Sequence, residues 1–250
     1  MESSLRLRLS ADRWYVSCPP ELQVALVKLS RLIQLRHGQA LFEPDEKGSG
    51  LCCVVGGSLL VSNVNEEGKV HVLAQVEPCQ WMGEISTLDS GPRAMGAYAN
   101  GITEVLFVPG DALEPWLNQH PQYWRHIGIL ACQKLRGALD SLQEISFLSL
   151  EQRILKRLER VATGYGSRVV PAKRVKVPQE VIAQMMGISR QSANKALKSL
   201  EEMGLISRSY GAVELPQKEP LPVHIPIEMP QIGCVVRRFK RVQGEPETVF

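Results

Sequence analysis

The chain has 250 residues, 44% of them hydrophobic and 22% charged, with a formal net charge of +3, which suits one or two domains and excludes a wholly disordered chain. No apolar run reaches the roughly 18 residues of a membrane-spanning helix, and the first residues lack the apolar core of a signal peptide. The six cysteines show neither metal-type spacing nor the density of a disulfide scaffold, so we expect a cytoplasmic protein.

The first predicted elements are a short helix and a β-rich region. Residues 20–34 place apolar side chains at helical spacing, which predicts an amphipathic helix. From about residue 35 to 108, runs of Val and Leu alternate with turn signals, the rhythm of an all-β sandwich or barrel. Residues 65–68 separate two such runs and predict a β-hairpin.

A loop inside the β region, residues 83–94, has the features of an anion site. Gly83 and Glu84 precede a short helical turn, and Arg93 follows a Gly-Pro pair. Free N–H groups at the start of a helix and one arginine suit a phosphate, and the Glu84 carboxylate can accept a hydrogen bond from a sugar hydroxyl. The alternative is a capped turn with a Glu84–Arg93 salt bridge.

The pattern becomes helical at residue 112 and remains so to about residue 163. Small residues in a heptad seam within it would let two copies approach closely, so we favour a homodimer helix. The alternative is an ordinary amphipathic helix packed on its own domain. The seam consists of Trp124, Gly128, Ala131, Leu135, Ala138, Leu142 and Ile145.

Residues 179–200 form the most specific pattern in the chain, that of a helix-turn-helix. Ile182 and Met186 form the apolar face of a first helix, and Gly187 suits the left-handed backbone of a tight turn. Ser189 is a good N-cap for the second helix, and Gly204 ends it. The predicted buried face of the second helix is Ala193, Ala196, Leu197 and Leu200.

Polar and basic side chains occupy the opposite face of this second helix. Arginine can bridge guanine, glutamine and asparagine suit adenine, and lysine meets phosphates. Residues 207–213 predict a β wing beside the helix. The alternative is a solvated polar helix in a helical hairpin. The predicted DNA contacts are Ser189, Arg190, Gln191, Asn194, Lys195, Lys198 and Arg208.

The charge of the chain is unevenly distributed. Residues 1–150 contain 12 Lys and Arg against 16 Asp and Glu, a net charge of −4, whereas residues 151–215 contain 12 against 6, a net charge of +6. We therefore expect any contact with a polyanion to lie in the basic region. The alternative is a chance distribution of charge. Six prolines between residues 216 and 250 predict an extended, flexible tail.

The remaining reactive residues give no enzyme pattern. Cys52 and Cys53 lie in an apolar run and are expected to be buried thiols, while Cys132 adjoins the seam and leaves a redox role open. The histidines are scattered, so we expect no metal site, with a haem or metal centre as the alternative. Neither a nucleophile–base constellation nor a nucleotide-binding glycine motif is visible, so we expect no enzymatic activity.

The loop at 83–94 and the helix-turn-helix, with a long helix between them, resemble the catabolite activator/FNR (Crp/Fnr) superfamily of bacterial transcription regulators over roughly residues 15–215. The resemblance implies an α+β fold. It consists of an N-terminal cyclic-nucleotide-binding-like β-roll that senses an effector at 15–118, a long dimerisation helix at 119–147, a winged helix-turn-helix DNA-binding domain at 148–215 and the tail at 216–250.

The resemblance also implies site roles. The residues that match the phosphate-binding cassette of cyclic-nucleotide domains are Gly83, Glu84, Pro92, Arg93 and Ala94, and Ile85 completes the expected effector contacts. In that family the Glu holds the ribose hydroxyl, the Arg holds the cyclic phosphate, and backbone amides near the Ala assist. Arg190, Gln191 and Lys195 match positions that contact DNA.

Two departures concern the base end of the effector site. The positions where the catabolite activator carries two hydroxyl residues that contact adenine are Ala138 and Leu139, neither of which can hydrogen-bond a base edge. Met95 and Gly96 replace the usual small polar continuation after Ala94. Both departures weaken the case for cyclic AMP specificity.

We therefore predict a dimeric, sequence-specific DNA-binding transcription regulator whose N-terminal domain senses an effector. The candidate effector is a cyclic nucleotide, with no other cofactor. The expected partners are double-stranded DNA, a second copy of the chain and RNA polymerase, with no membrane. The alternative is a small-molecule binding module whose helix-turn-helix mediates protein contacts.

Overall fold

The computed structural model describes residues 2–209 and 211–216, so the predicted tail beyond Pro216 lies outside the described residues. The helices are α1 (Glu2–Leu9), α2 (Arg13–Ser17), α3 (Pro20–Lys28), α4 (Glu84–Asp89), α5 (Gly110–Gln119), α6 (Trp124–Phe147), α7 (Leu150–Ala162), α8 (Gln179–Met186) and α9 (Arg190–Glu202), with a 3-10 turn at Pro121–Tyr123. The strands are β1 (Arg31–Leu35), β2 (Ala40–Phe42), β3 (Gly50–Gly56), β4 (Leu59–Val64), β5 (Val70–Val76), β6 (Trp81–Met82), β7 (Gly96–Ala99), β8 (Thr103–Pro109), β9 (Arg174–Val175), β10 (Ser207–Ser209) and β11 (Ala212–Glu214).

Strands β1 to β8 form two antiparallel four-stranded sheets, which confirms the predicted β region. One sheet has the strand order β1-β8-β3-β6 and the other the order β2-β7-β4-β5. Strand β3 is buried along almost its whole length, as expected for a continuous apolar run. The apolar cluster shared by the two sheets includes Val54, Leu59, Ala97 and Val105.

The predicted hairpin is formed by β4 and β5, and it contains a β-bulge. In the turn, Lys69 N donates to Asn65 Oδ1 over 2.8 Å. Val61 pairs with Ala74 and Ser62 pairs with Val72, so the intervening residue of β5 has no partner on β4. A bulge of this kind bends a strand and redirects its side chains.

The prediction of a helix over residues 20–34 is wrong for the second half of that segment. Helix α3 ends at Lys28, and Arg31–Leu35 is strand β1, which pairs with β8. Leu32, one of the apolar positions that suggested a helix, is 61% exposed in this strand. Pairing with β8 overrides a local apolar spacing that fits a helix as well as a strand.

Helices α1 and α2 were not predicted, yet they belong to the apolar core of the N-terminal region. Trp14 and Tyr15 are buried, and their ring centroids lie 5.5 and 5.9 Å from that of Trp81. The indole N–H of Trp14 donates to His126 O on α6 over 2.8 Å. The N-terminal segment therefore packs on both the β-roll and the long helix.

The helical stretch predicted from residue 112 to 163 consists of α5, a 3-10 turn, α6 and α7. Pro121 has no N–H to donate, so the chain turns here and α6 begins at Trp124, inside the segment predicted as a dimerisation helix at 119–147. A second break separates α6 from α7. There Ser149 caps α7, and the Gln152 side chain accepts from Ser149 N over 3.0 Å.

Helices α7, α8 and α9 pack around a second apolar core, with β9, β10 and β11 as a small antiparallel sheet beside them. Gly187 has a φ of +66° and forms the turn between α8 and α9, as predicted. Ser189 Oγ accepts from Ser192 N over 3.1 Å, which confirms the predicted N-cap. The predicted wing is the β10–β11 pair, in which Tyr210 lies outside the described residues.

The C-terminal region contacts the N-terminal region of the same chain at two places. Next to α2, Arg13 N donates to Ser167 O over 2.6 Å, and Val169 N donates to Ala11 O over 2.9 Å. On the hairpin, Val72 of β5 is buried within the C-terminal apolar core, in the same cluster as Ile182 of α8. Strand β5 thus belongs to the β-roll by its pairing and to the C-terminal region by its packing.

Candidate effector cavity and nucleic-acid interface

The loop that carries the predicted effector residues depends on a close approach between two backbone segments. Gly83 has a φ of +102°, and a Cβ at this position would collide with the carbonyl oxygen of Gly50. Thr87 Oγ1 donates to Gly83 O over 2.9 Å and accepts from Gly50 N over 3.1 Å. A glycine at residue 83 is therefore required for both the backbone angle and the contact with β3.

Glu84 and Arg93 are buried charged groups whose hydrogen bonds are incomplete. They are 4% and 5% exposed. Glu84 Oε2 has no hydrogen-bond partner within the described part of the chain. The Arg93 guanidinium lies over the Phe42 ring at 4.4 Å and donates two long bonds, 3.3 and 3.4 Å, to Gly50 O. Burial lowers the pKa of Arg93.

The salt bridge that was the alternative for this loop is not formed. Among the described residues, Glu84 and Arg93 make no ion pair with each other, although both are buried close to Gly50. A buried charge without a full set of partners is costly. Both groups are therefore available to a polar ligand.

The two charged groups open into a cavity of about 510 Å³, within the size range of small-molecule sites. All five residues predicted to contact the effector line it. The cavity is enclosed by the β-roll on one side and by α6 on the other. Its apolar lining consists of Phe42, Val61, Leu73, Ala74, Val76, Met82, Met95, Ala131, Leu135 and Ala138, and its effector-loop lining includes Gly83, Glu84, Ile85, Arg93 and Ala94.

Sequence reasoning missed Lys134, which also lines the cavity. Its Nζ donates to Trp81 O over 2.9 Å and brings a second positive charge to this site. The signal was present, because Ala131, Lys134 and Ala138 are spaced by three and four residues and lie on one face of α6. The heptad spacing of the same helix indicated only a dimer seam.

The donors and acceptors of the cavity fit an anion that carries a neighbouring hydroxyl group. Arg93 can donate two parallel hydrogen bonds to a phosphate, and the free Glu84 Oε2 can accept one from a hydroxyl. Ala131, Leu135 and Ala138 of α6 add apolar surface beside Cys132 and Lys134 of the same helix. The cavity thus offers both charged groups and apolar contact to a ligand.

The outer face of α9 carries the predicted DNA contacts. Arg190, Gln191 and Lys195 are exposed, whereas the predicted buried face is indeed buried. Arg190 and Lys195 form no ion pair among the described residues, so their charges are free for phosphates or base edges. An exposed helix of this kind fits the major groove of B-DNA. Ser189, Asn194 and Lys198 are exposed on the same helix.

Four of the predicted contacts already have partners within the protein: Ser189 caps α9, and Asn194, Lys198 and Arg208 bond to other side chains. Lys198 Nζ lies 3.7 Å from Glu202 Oε1, on a solvent-exposed surface. Arg208 on β10 is half-buried; its Nη2 lies 2.7 Å from Glu201 Oε2, and its Nη1 donates to Asn194 Oδ1 over 3.0 Å.

The predicted dimer seam is exposed over the C-terminal half of α6. Leu135, Leu142 and Ile145 are 59%, 62% and 58% exposed, although all three are large and apolar. By contrast, Trp124 and Ala131 nearer the start of the helix are half-buried against their own chain. The exposed part forms an apolar stripe of the kind that marks an interaction surface.

The cysteines follow the sequence interpretation in part. Cys52 and Cys53 are fully buried, and burial raises the pKa of Cys52 to about 12. Cys132 is exposed and lines the cavity.

Within residues 2–209 and 211–216, no group of His, Cys, Asp and Glu side chains is placed to hold a metal ion. In the same part of the chain, each helix is too short or too polar to cross a membrane.

Comparison with family models identifies two domains. The cyclic nucleotide-binding domain model matches residues 32–120, and the Crp-like helix-turn-helix domain model matches residues 152–221. The CRP-like cAMP-activated global transcriptional regulator of Mycobacterium tuberculosis is 29% identical over 206 residues, which are 81% of this chain and 91% of that protein. The cAMP-activated global transcriptional regulator CRP of Escherichia coli is 25% identical over 67% of this chain and 80% of its own.

Solved structures share the fold. FixK2 from Bradyrhizobium japonicum superposes with a TM-score of 0.65 at 20% identity, covering 75% of this chain and 93% of its own. The c-di-GMP responsive global regulator CLP from Xanthomonas campestris gives a TM-score of 0.62 at 18% identity, covering 80% of this chain and all of its own.

Proposed function

The chain belongs to the Crp/Fnr superfamily of bacterial transcription regulators, and from this premise we propose that a cyclic nucleotide in the cavity at Arg93 controls the binding of α9 to DNA. The protein is a DNA-binding transcription regulator with an N-terminal effector-sensing domain, and its relatives are regulators rather than enzymes. The observation that carries the effector proposal is the pair of buried, incompletely bonded charges, Glu84 and Arg93.

The chemistry of the cavity supports a cyclic nucleotide. Arg93 would hold the cyclic phosphate, and Glu84 would accept from a ribose hydroxyl, while Lys134 adds positive charge near the same end. The base would pack against the apolar lining contributed by α6. The two curated relatives are cAMP-activated by name, which supports this class of effector.

The walls of the cavity suggest how its occupancy reaches α9. Ala131, Leu135 and Ala138 belong to α6, which leads directly into the break at Ser149 and then into α7. Leu73 belongs to β5, the strand that packs on the C-terminal core. An effector shifts the protein between states only if it binds one of them more tightly, so its contacts with α6 and β5 must differ between the states.

We propose that the DNA-bound form is a homodimer joined along α6. The exposed apolar stripe of Leu135, Leu142 and Ile145 supports this, and dimers are typical of the family. Two copies would place two Arg190 side chains over half-sites about one DNA turn apart. A transcription regulator of this family would then contact RNA polymerase at the promoter.

Selection of binding sites from random duplexes, followed by titration at fixed salt, tests the DNA contact. Arg190→Ala should lose about 1–3 kcal/mol at one base position in each half-site, because arginine reads guanine with two hydrogen bonds. The matched control is Lys156→Ala, which removes an exposed charge from α7 that pairs with Glu159. Unchanged binding by Arg190→Ala would refute this contact. DNA affinity that does not depend on salt would favour a protein-contact role for the helix-turn-helix.

Thermal denaturation with cyclic mono- and dinucleotides tests the effector. A ligand at about 100 times its Kd stabilises the protein by about 2.7 kcal/mol, and Arg93→Lys should abolish that gain because lysine cannot donate two parallel bonds. Arg31→Lys is the control, since Arg31 also lies over a phenylalanine ring, at 5.4 Å, but outside the cavity. If no cyclic nucleotide raises the melting temperature of the wild-type protein, the effector proposal is wrong.

A further inference from the structure

Asn194 lies in the middle of the exposed face of α9, and its side-chain oxygen is already engaged. Oδ1 accepts from Arg208 Nη1 over 3.0 Å and from Gln179 Nε2 over 3.4 Å. These donors come from β10 and α8, on two different sides of α9. The orientation of the Asn194 amide is therefore fixed by the tertiary structure and not by α9 itself.

Arg208 is held firmly in the position from which it reaches Asn194. Its backbone N donates to Glu201 Oε1 over 2.9 Å, and its Nε donates to Glu201 Oε2 over 2.7 Å. These bonds lower the pKa of Glu201, which keeps the carboxylate ionised and the pairing intact. With Nε and Nη2 bound to Glu201, the remaining Nη1 is directed to Asn194.

The chemistry of arginine decides which end of the Asn194 amide is free. A guanidinium has only donors, so the atom it contacts must be the amide oxygen. That oxygen has two lone pairs, and Arg208 and Gln179 use both. Within the described residues no acceptor contacts Nδ2, so the NH₂ group is the part of Asn194 that remains unbonded.

We propose that Asn194 contacts DNA as a hydrogen-bond donor only, and that Arg208, held by Glu201, is the positioning residue that imposes this. The usual asparagine–adenine pair needs the amide oxygen to accept from the adenine N6 amino group. Here that oxygen is occupied, and the NH₂ group would meet the N6 donor unfavourably. Guanine presents acceptors at N7 and O6, and thymine presents O4.

Asn194 therefore selects guanine or thymine and disfavours adenine and cytosine at the base that it reads. This inference rests on the proposed placement of α9 in the major groove. It also changes the expected role of Arg208, which the sequence had suggested as a DNA contact. Arg208 acts on base choice through Asn194, because its guanidinium is bound on two sides within the protein.

The experiment begins with sites selected by the wild-type protein from random duplexes. Each position of the selected site is then changed to the other three base pairs, and affinity is measured at constant salt. Asn194→Ala identifies the position that Asn194 reads, because the preference of the wild type is lost there. At that position the wild-type protein should bind guanine or thymine roughly tenfold more tightly than adenine.

Arg208→Ala tests the positioning role. The variant frees one of the two lone pairs of Asn194 Oδ1, the one that Arg208 occupies, and this lone pair can accept from adenine N6. Adenine should therefore become acceptable at that one position, while the preferences at other positions stay unchanged. Glu201→Gln weakens the bonds that hold Arg208 but leaves the charge of Arg208 in place, and it should shift the base preference in the same direction. If Arg208→Ala lowers the melting temperature, Glu201→Gln replaces it as the test of the positioning role. Arg174→Ala is the matched control, because this wing-sheet arginine contacts Ser209 and Glu214 but not α9.

Three results would overturn the inference. One is a wild-type preference for adenine at the position that Asn194→Ala identifies. Another is an Asn194→Ala protein with an unchanged preference at every position. The third is continued exclusion of adenine by both Arg208→Ala and Glu201→Gln. By contrast, a wild-type protein that selects no DNA sequence at all would refute the proposed function itself, so the two failures are distinguishable.

Discussion

Asp12 shows how one side chain can link two regions of the molecule. It is 1% exposed, and its Oδ1 accepts from Tyr15 N over 2.8 Å at the start of α2. Burial raises the pKa of Asp12 from 3.8 to about 6, against the opposing effects of hydrogen bonds from Tyr15 and Ser167. The Asp12 carboxyl group thus binds its proton more tightly in the folded protein than in the unfolded chain.

Asp12→Asn should therefore stabilise the protein at neutral pH. Because the pKa is raised in the folded state, the aspartate costs stability as pH rises from about 4 through 6 and above, by up to about 3 kcal/mol. Asparagine keeps an oxygen for Tyr15 N and carries no charge. Urea denaturation of both proteins at pH 5, 6, 7 and 8 should show an advantage for the variant that grows from pH 5 to 6 and levels off at pH 7 and 8. A constant difference would contradict the prediction.

Among the elements, β5 connects the effector cavity to the C-terminal core. Because of the bulge, Leu73 of β5 has no pairing partner on β4. Its carbonyl oxygen instead accepts from Arg157 Nη1 on α7 over 2.8 Å. Leu73 also lines the cavity, while Val72 is 1% exposed within the C-terminal core. Two adjacent residues of β5 therefore have different roles: Leu73 lines the cavity, and Val72 packs in the cluster that includes α8.

Val72→Ala should destabilise the protein by about 1–3 kcal/mol, because it removes two buried methyl groups from a packed core. Val64→Ala is the control; Val64 lies on the paired strand β4 but is 55% exposed, so its loss should cost within about 0.5 kcal/mol. Urea denaturation measures both. Equal stability of the two variants would show that β5 does not pack on the C-terminal core in solution.

At the scale of the whole molecule, the exposed apolar stripe on α6 supports the proposed homodimer. Leu142→Glu places a charge in the middle of that stripe and should yield monomers, with operator affinity lowered at least about a hundredfold because two half-sites are no longer bound together. Ile102→Glu is the control, since Ile102 is 75% exposed between β7 and β8. Analytical ultracentrifugation and DNA titration measure both effects. A dimeric Leu142→Glu protein would place the interface elsewhere.

The sequence allowed prediction of those parts of the protein that are determined by interactions between residues close together in the chain. The N-cap at Ser189, the turn at Gly187 and the amphipathic pattern of α9 depend on neighbours within four residues, so the local sequence is enough to identify them. The anion site at residues 83–94 was also predicted from a local pattern, whereas its identification as a phosphate-binding cassette came from the resemblance to the Crp/Fnr superfamily. The five residues predicted on the outer face of α9 are all exposed.

The sequence alone determined a β-rich region, a helix-turn-helix and the order of charged and apolar positions along each element, while the resemblance to the Crp/Fnr superfamily implied the β-roll. Only the tertiary structure decided that residues 31–35 form a strand, that Lys134 joins the cavity, that Leu73 bulges and that the Asn194 oxygen is occupied. Each of these depends on a partner from a distant part of the chain. Local spacing can place a residue on a face of its element, but it cannot identify such a partner, because the contact appears only when folding brings the two segments together.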